Sequence, residues 1–187
     1  MYEINTFTNM NNNNLITPKY KKPVNFQTIF LIIAVLISIF LLLSIMILNV
    51  KLYKIHGTSM SPTLHEKEIV LTIKPNELKQ GDIISFYHNR AIMIKRIIAL
   101  PGDTVDIKTD GTVIVNNKEL KEDYIKEKNM GNPDITLPYT VPNGTYFVMG
   151  DNRKDSLDSR DIAIGCIKKD DILGKIKFSI IPFDSIN

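Results

Sequence analysis

The sequence predicts a mostly β domain of many short strands behind one N-terminal membrane-spanning helix. Three observations lead there. Residues 23–50 hold no charged side chain; the rest of the chain is made of short β-branched runs broken by Gly, Pro and Asn; and Asp110-Gly111 lies between two such runs. No long amphipathic helix stands out after the uncharged stretch, and no internal repeat is visible.

From Ile29 to Leu48, eighteen of twenty residues are apolar, the others being Ser38 and Ser44. Twenty helical residues rise about 30 Å, the thickness of a bilayer's hydrocarbon core. A buried core helix is rarely so long and apolar on every side. A cleaved signal sequence has an apolar region of about 7–15 residues followed by a small-x-small site. Here the stretch runs into Asn49-Val50-Lys51 without such a site, so residues 26–50 read as a retained transmembrane anchor in the lipid bilayer. Lys19, Lys21 and Lys22 precede it while Lys51 and Lys54 follow, and the positive-inside rule places the N-terminus in the cytoplasm by a small margin. Residues 1–25, with the run Asn11 to Asn14, are expected as a disordered cytoplasmic tail. Residues 51–187 are then the working domain, outside the cytoplasm.

Within that domain the expected strands follow in order. Ile69–Ile73 ends at Pro75-Asn76, Asp82–Tyr87 follows Gly81, and Ala91–Leu100 ends at Pro101-Gly102-Asp103. Val105–Ile107 and Thr112–Val115 flank Asp110-Gly111, a hairpin signal, and Thr145–Met149 stops at Gly150-Asp151-Asn152.

Composition narrows the function classes. The formal net charge of +3 divides into +2 before the span and +1 after it, so the main domain has no electrostatic footprint for nucleic acid. Cys166 is the one cysteine, which rules out an intrachain disulfide and a thiolate metal cluster. Its frame, Ile164-Gly165-Cys166-Ile167, marks a small buried residue. His56, His65 and His88 have no metal-ligand spacing. Neither metal nor cofactor is expected.

Three segments look like chemistry. Gly57-Thr58-Ser59-Met60-Ser61-Pro62-Thr63-Leu64 starts about nine residues beyond the span, and in such a turn a serine hydroxyl and its backbone N–H can both face a substrate. It is not the G-x-S-x-G elbow of α/β-hydrolases. Lys95 lies in the expected strand Ala91–Leu100, where alternation puts it on one face with Ala91, Met93, Ile97 and Ala99, all apolar. Two readings of it stand side by side: an edge lysine whose amine reaches water, or a desolvated amine with a pKa lowered from about 10.4 toward neutrality. In the second, the neutral amine takes a serine's proton as a histidine would. The third segment, Gly150 to Arg160, puts seven charged or hydroxyl-bearing residues into the eight from Arg153 to Arg160 and offers two Asp–Arg pairings.

Together these segments closely resemble bacterial type I signal peptidases, in the short single-span Gram-positive form. The nucleophile motif is the segment from Gly57 to Leu64, and Gly81-Asp82-Ile83-Ile84 follows. The lysine motif is Lys95-Arg96-Ile97-Ile98-Ala99-Leu100-Pro101-Gly102-Asp103, and the last is Gly150 to Arg160, all in family order. The resemblance implies a fold of two antiparallel sheets, Ser59 as nucleophile, Lys95 as general base, and Ser156 as a hydroxyl that bonds and orients the lysine amine. It further implies Asp158 and Arg160 as a structural ion pair and a shallow apolar substrate pocket at Ile55, Met60, Leu64, Met93 and Ile94. Gly57 stands where some members carry a serine that helps bind the oxyanion, so the Ser59 N–H carries more of that task.

The activity so implied is removal of N-terminal signal peptides from secreted preproteins by a Ser/Lys dyad. Self-cleaving repressor-type proteases share that chemistry but carry no span. The alternative in a different class is a catalytically inactive anchored binding protein of the same fold.

Overall fold

A computed structural model describes residues 25–180. All but the last residue of the expected tail 1–25 lies outside them. The chain forms two compact units that divide between Leu42 and Leu43.

Helix α1 (Phe26–Asn49) has 24 residues, about 36 Å of helix. Asn25 opens it: its side-chain oxygen accepts the Gln27 N–H at 3.3 Å, an N-cap arrangement. By length and composition it is long and apolar enough to cross a membrane. It begins three residues before the expected stretch Ile29–Leu48 and ends one residue after it.

The second unit is β-rich. Its strands are β1 (Val50–Lys54), β2 (Ile69–Ile73), β3 (Ile83–His88), β4 (Ala91–Ala99), β5 (Thr104–Ile107) and β6 (Val113–Val115), then β7 (Lys118–Glu119), β8 (Tyr139–Thr140), β9 (Thr145–Met149), β10 (Ile167–Lys168) and β11 (Ile172–Ile180). They build two antiparallel sheets, one of seven strands in the order β1-β2-β11-β3-β4-β9-β10 and one of four in the order β7-β6-β5-β8. The fold class predicted from sequence is the one observed.

Every expected strand forms, with ends within about two residues. The expected hairpin pairs Val105 with Val115 and Ile107 with Val113. Gly111 turns it at φ +85°, its N–H donating to the Lys108 carbonyl at 2.8 Å. The sequence reading did not anticipate β1, β7, β8, β10 or β11. The largest omission is β11, where Gly174, Lys175 and Lys177 dilute the apolar signal of a strand that pairs on both sides.

β11 decides how the large sheet is joined. It pairs with β2 on one edge and β3 on the other. One part of the sheet, β1 and β2, holds the segment with Ser59 between its strands; the other, β3-β4-β9-β10, holds Lys95.

Three apolar clusters hold the domain together, each fully buried side chain contributing roughly 1.5–3 kcal/mol. Val105, Ile107, Val113 and Val115 of the small sheet pack on Ile98, Ala99, Phe147 and Met149 of the large one. Ile84, Phe86, Ile97 and Val148 form a second cluster, and Ile55, Met60, Leu64 and Val70 a third beneath the Ser59 segment. A register shift between Ile97 and Ala99 in the β4–β9 ladder sends Ile97 into the second cluster while Ile98 and Ala99 both enter the first. The expected uniform apolar face is corrected accordingly: Met93, Lys95 and Ile97 share it, Ala91 is exposed, and alternation breaks before Ala99.

Candidate active site

Ser59 lies in the connection Ile55–Glu68 between β1 and β2. This connection is held from below by its own apolar residues, since Ile55, Met60 and Leu64 are buried. It is held within itself by the Ser61 N–H donating to the Thr58 carbonyl at 3.0 Å and the Leu64 N–H donating to the Met60 carbonyl at 2.9 Å. The Ser59 N–H has no acceptor among the described residues and is free to serve a ligand.

Lys95 sits on β4 directly across from Ile84, only 3% exposed. Its Nζ donates to Ser59 Oγ across 2.6 Å, joining residues 36 apart in the chain. Burial lowers the amine's pKa from 10.5 to about 8; the Asp158 carboxylate pulls it back up, Arg160 pushes it down, and Asp151 again raises it. Desolvation therefore wins. At pH 7 about a tenth of such an amine is neutral, enough to act as a base without titrating the whole population. Of the two readings open at Lys95, the buried one is observed.

The 150–160 segment packs against Ser59 and brings the charges of Asp151, Asp158 and Arg160 to bear on Lys95. Asn152 donates its N–H to the Ser59 carbonyl at 3.0 Å and its side-chain amide to the Thr58 carbonyl at 3.3 Å. Gly150 makes this approach possible. A Cβ there would lie 2.2 Å from Ser156 Oγ and 2.5 Å from the Ser59 carbonyl oxygen. Asp158 and Arg160 form a bidentate pair, with Nε and Nη2 donating at 2.8 and 2.9 Å. Asp158 also accepts the Gly150 N–H at 3.0 Å, and Arg160 donates onward to the Arg153, Asn129 and Met130 carbonyls.

Ser156 corrects an expectation. Its hydroxyl is buried and makes no hydrogen bond among the described residues, so the expected bond to the Lys95 amine is not made in this structure. The neighbours fix its backbone, as Arg160 Nη2 donates to its carbonyl, while its side chain is left unpaired.

Two buried ion pairs that the sequence reading missed brace this site. Arg96, the residue after Lys95, donates from Nε and Nη2 to Asp151 at 2.8 and 2.6 Å, and Thr63 bonds the same carboxylate. Arg153 pairs with Glu122 through Nη1 and Nη2 and donates from Nε to the Gly150 carbonyl at 2.9 Å. Tyr124 closes the array, its ring 4.0 Å from the Arg96 guanidinium carbon and its hydroxyl donating to Glu122 at 2.9 Å. Burial and the Glu122 carboxylate raise its pKa. Strand alternation offered the one available hint: a lysine and an arginine in succession on a buried strand must face opposite sides, and the arginine then needs a carboxylate.

A cleft of about 540 Å³ opens beside Ser59 and Lys95. Ile55, Met60, Met93 and Ile94 line it as expected, but Leu64 does not: it lies beneath, in the core under Ser59. Cys166 is half-buried against the first cluster, and burial raises its thiol pKa, which disfavours a reactive thiolate. Among the described residues, no group of three His, Cys, Asp or Glu side chains is placed to hold a metal ion.

The family described as signal peptidase, peptidase S26, matches residues 26–181. Signal peptidase I of Bacillus licheniformis is 37% identical over 166 residues, covering 82% of this chain and 88% of the relative. Signal peptidase I S of Bacillus subtilis (strain 168) is 40% identical over 146 residues, or 72% and 78% of the two chains. Signal peptidase I U of the same strain is 35% identical over 182 residues, or 91% and 96%. Among solved structures, a signal peptidase I from Enterococcus faecalis V583 is 35% identical with a TM-score of 0.47, over 55% of this chain and 98% of that one.

Proposed function

The chain belongs to the signal peptidase family, peptidase S26, and on that premise we propose that it removes signal peptides from preproteins with Ser59 as nucleophile and Lys95 as general base. The observation that carries the residue assignment is the 2.6 Å contact between a loop hydroxyl and a buried, partly neutral amine. Membership in this family makes the chain a serine peptidase, and nothing favours the inactive alternative.

The chemistry follows from these two groups. Neutral Lys95 Nζ accepts the Ser59 Oγ proton as Oγ bonds to the carbonyl carbon of the scissile peptide. The Ser59 N–H donates to the oxyanion that forms. The Lys95 ammonium then gives its proton to the departing amine, the C–N bond breaks, and the mature protein leaves an ester on Ser59. Water, losing a proton to the again neutral lysine, attacks that ester. Ser59 regains its proton, and the signal peptide leaves with a new carboxylate.

Residues of a preprotein before the cut lie extended in the cleft, and small side chains at −1 and −3 enter its apolar part at Ile55, Met60, Met93 and Ile94. Asp158 and Arg160 hold the 150–160 segment in place. Ser156 enters as an orienting hydroxyl, since its buried oxygen has no partner of its own and is free to bond the amine when a substrate arrives. Residues 26–50 anchor the enzyme in the bilayer, with residues 1–25 in the cytoplasm and the catalytic domain 51–187 outside.

Incubation of the purified protein with a preprotein tests this reading: wild type releases the mature chain and Ser59→Ala does not. Equal cleavage by Ser59→Ala overturns the assignment. In intact cells, external protease should remove the domain 51–187 and leave an N-terminal tag; the reverse pattern overturns the orientation.

A further inference from the structure

The cleft beside Ser59 is lined by cations and by no carboxylate. Lys54, His56, Arg90 and Lys95 are its basic side chains, and neither Asp nor Glu is among the residues that line it. Lys54 and Arg90 are both exposed, and among the described residues neither makes a salt bridge. They are cations left free in a substrate cleft.

Their positions in the chain say which part of a substrate they meet. Lys54 stands five positions before Ser59, and Arg90 five positions before Lys95. An extended chain advances about 3.3 Å per residue, so the five residues from Arg90 to Lys95 along β4 span about 17 Å, whereas the connection from Lys54 to Ser59 is not extended. β4 pairs with β3 along Ala91–Arg96 but with β9 only from Arg96 onward, so the other edge of Ala91–Lys95 has no strand partner. A peptide laid along this edge, with its −1 residue beside Lys95 and its −1 and −3 side chains in the apolar part, brings residues −4 to −6 between Lys54 and Arg90.

The turn that presents Arg90 points the same way. His88 pairs with Ala91, leaving Asn89 and Arg90 as a two-residue turn with φ of +45° and +67°. Such turns favour glycine at the second position, and here an arginine is held in the left-handed region. The turn sets Arg90 immediately before β4, among the residues that line the cleft.

We propose that Lys54 and Arg90 form a cationic subsite that reads the charge of substrate residues −4 to −6, favouring an acidic side chain there and disfavouring a basic one. The inference rests on the assignment of Ser59 and Lys95 as the catalytic pair. Exposed charge pairs each change binding by a few-fold, and opposite and like pairs act in opposite senses. Two cations should therefore separate an acidic from a basic residue by about tenfold at low salt. Screening over a Debye length of about 4 Å at 0.5 M salt should compress that ratio to about two.

The experiment uses the full chain in detergent and three peptides identical except for Asp, Asn or Lys at −5. The expected order of kcat/KM is Asp, then Asn, then Lys, with the ratio of Asp to Lys about tenfold, falling in salt. In the double variant Lys54→Glu/Arg90→Glu that ratio should invert. Moving the varied residue to −10, beyond the cleft, should bring it to about one. A wild-type ratio within about twofold at −5 while the Asn peptide is cut at the expected bond overturns the subsite and leaves the catalytic pair standing. A ratio that is unchanged in the double variant also overturns it. Failure of wild type to cut the Asn peptide at all overturns the catalytic assignment and this inference with it.

Discussion

Arg96 holds Asp151 inside the domain with Nε and Nη2 donating across 2.8 and 2.6 Å, and each partner is the immediate neighbour of a site residue, Lys95 on one side and Gly150 on the other. The pair fastens β4 to the segment that packs on Ser59. Arg96→Met strands a carboxylate that is then left with Thr63 alone, and the expected cost is about 3–5 kcal/mol in unfolding free energy. Arg96→Lys keeps the charge without the planar fork and should fall between the two. Chemical denaturation checks this, and a loss below about 1 kcal/mol for the methionine variant would contradict it.

Ser59→Ala and Lys95→Ala should each abolish preprotein cleavage, with the double variant scarcely worse than either, because the two groups share one hydrogen bond and act as a unit. Lys95→Arg should be equally inactive, since a guanidinium keeps its proton at any workable pH. Appreciable turnover by the arginine variant would assign Lys95 a role as charge and not as base.

The rate should follow the titration of Lys95. Only the neutral amine accepts a proton, so kcat/KM of the free enzyme rises with pH through one ionisation near 8, falling about tenfold per unit well below it. A short peptide substrate assayed from pH 6 to 10 measures the profile. A rise that begins only above pH 10 would indicate a solvated lysine.

The same amine links stability to pH. It titrates near 8 in the folded domain and near 10.5 when unfolded, so between those values the unfolded chain binds more protons and stability rises with pH. Below 8 the whole penalty for burying the charge is present, about 3 kcal/mol at about 1.4 kcal/mol per unit. Lys95→Met should therefore be more stable than wild type at pH 7 by up to that amount, with the gap closing between pH 8 and 10.5. A gap independent of pH would show that the lysine keeps its ordinary pKa in the folded domain.

Gly150→Ala places a Cβ 2.2 Å from Ser156 Oγ and 2.5 Å from the Ser59 carbonyl oxygen. The segments must separate, so cleavage should fall by about a hundredfold, the scale of a misplacement of about 1 Å in a catalytic pair. Adding Ser156→Gly removes the nearer obstruction but leaves the Ser59 carbonyl, and should restore activity only in part. Full activity of the alanine variant would show the contact to be slack.

The fold class was legible because its signals are local. An uncharged stretch as long as a bilayer is thick needs no partner to be read, and turns such as Asp110-Gly111 declare themselves within four residues. Ser59, Lys95 and the Asp158–Arg160 pair came from motifs, and the structure brings all four together. What stayed hidden depends on partners far away in the chain. Lys175 and Lys177 conceal β11 because its burial comes from strands about a hundred residues earlier. Glu122 looks like one charge among many until Arg153 closes on it across 31 residues. Leu64 sits in the nucleophile motif yet serves the core, since the turn at Met60–Leu64 directs it downward, away from the cleft. Ser156 reached the site but not the bond, because its motif specifies a position and leaves the rotamer to the surroundings.

The place of β11 also sets an order of events during synthesis. A nascent chain that has reached Arg160 already contains Ser59 and Lys95, but not the strand that hydrogen-bonds to both halves of their sheet. Pairing Ile73 with Lys175 closes a contact between residues at opposite ends of the domain. The entropy of closing so long a loop grows only logarithmically, by about 0.6 kcal/mol per doubling, yet such non-local pairing is what slows β-rich domains. Ser59 and Lys95 are therefore expected to meet only after residues 172–180 have left the ribosome. A pair assembled this way is expected to stay apart while the chain is being made, until β11 has taken its place between β2 and β3.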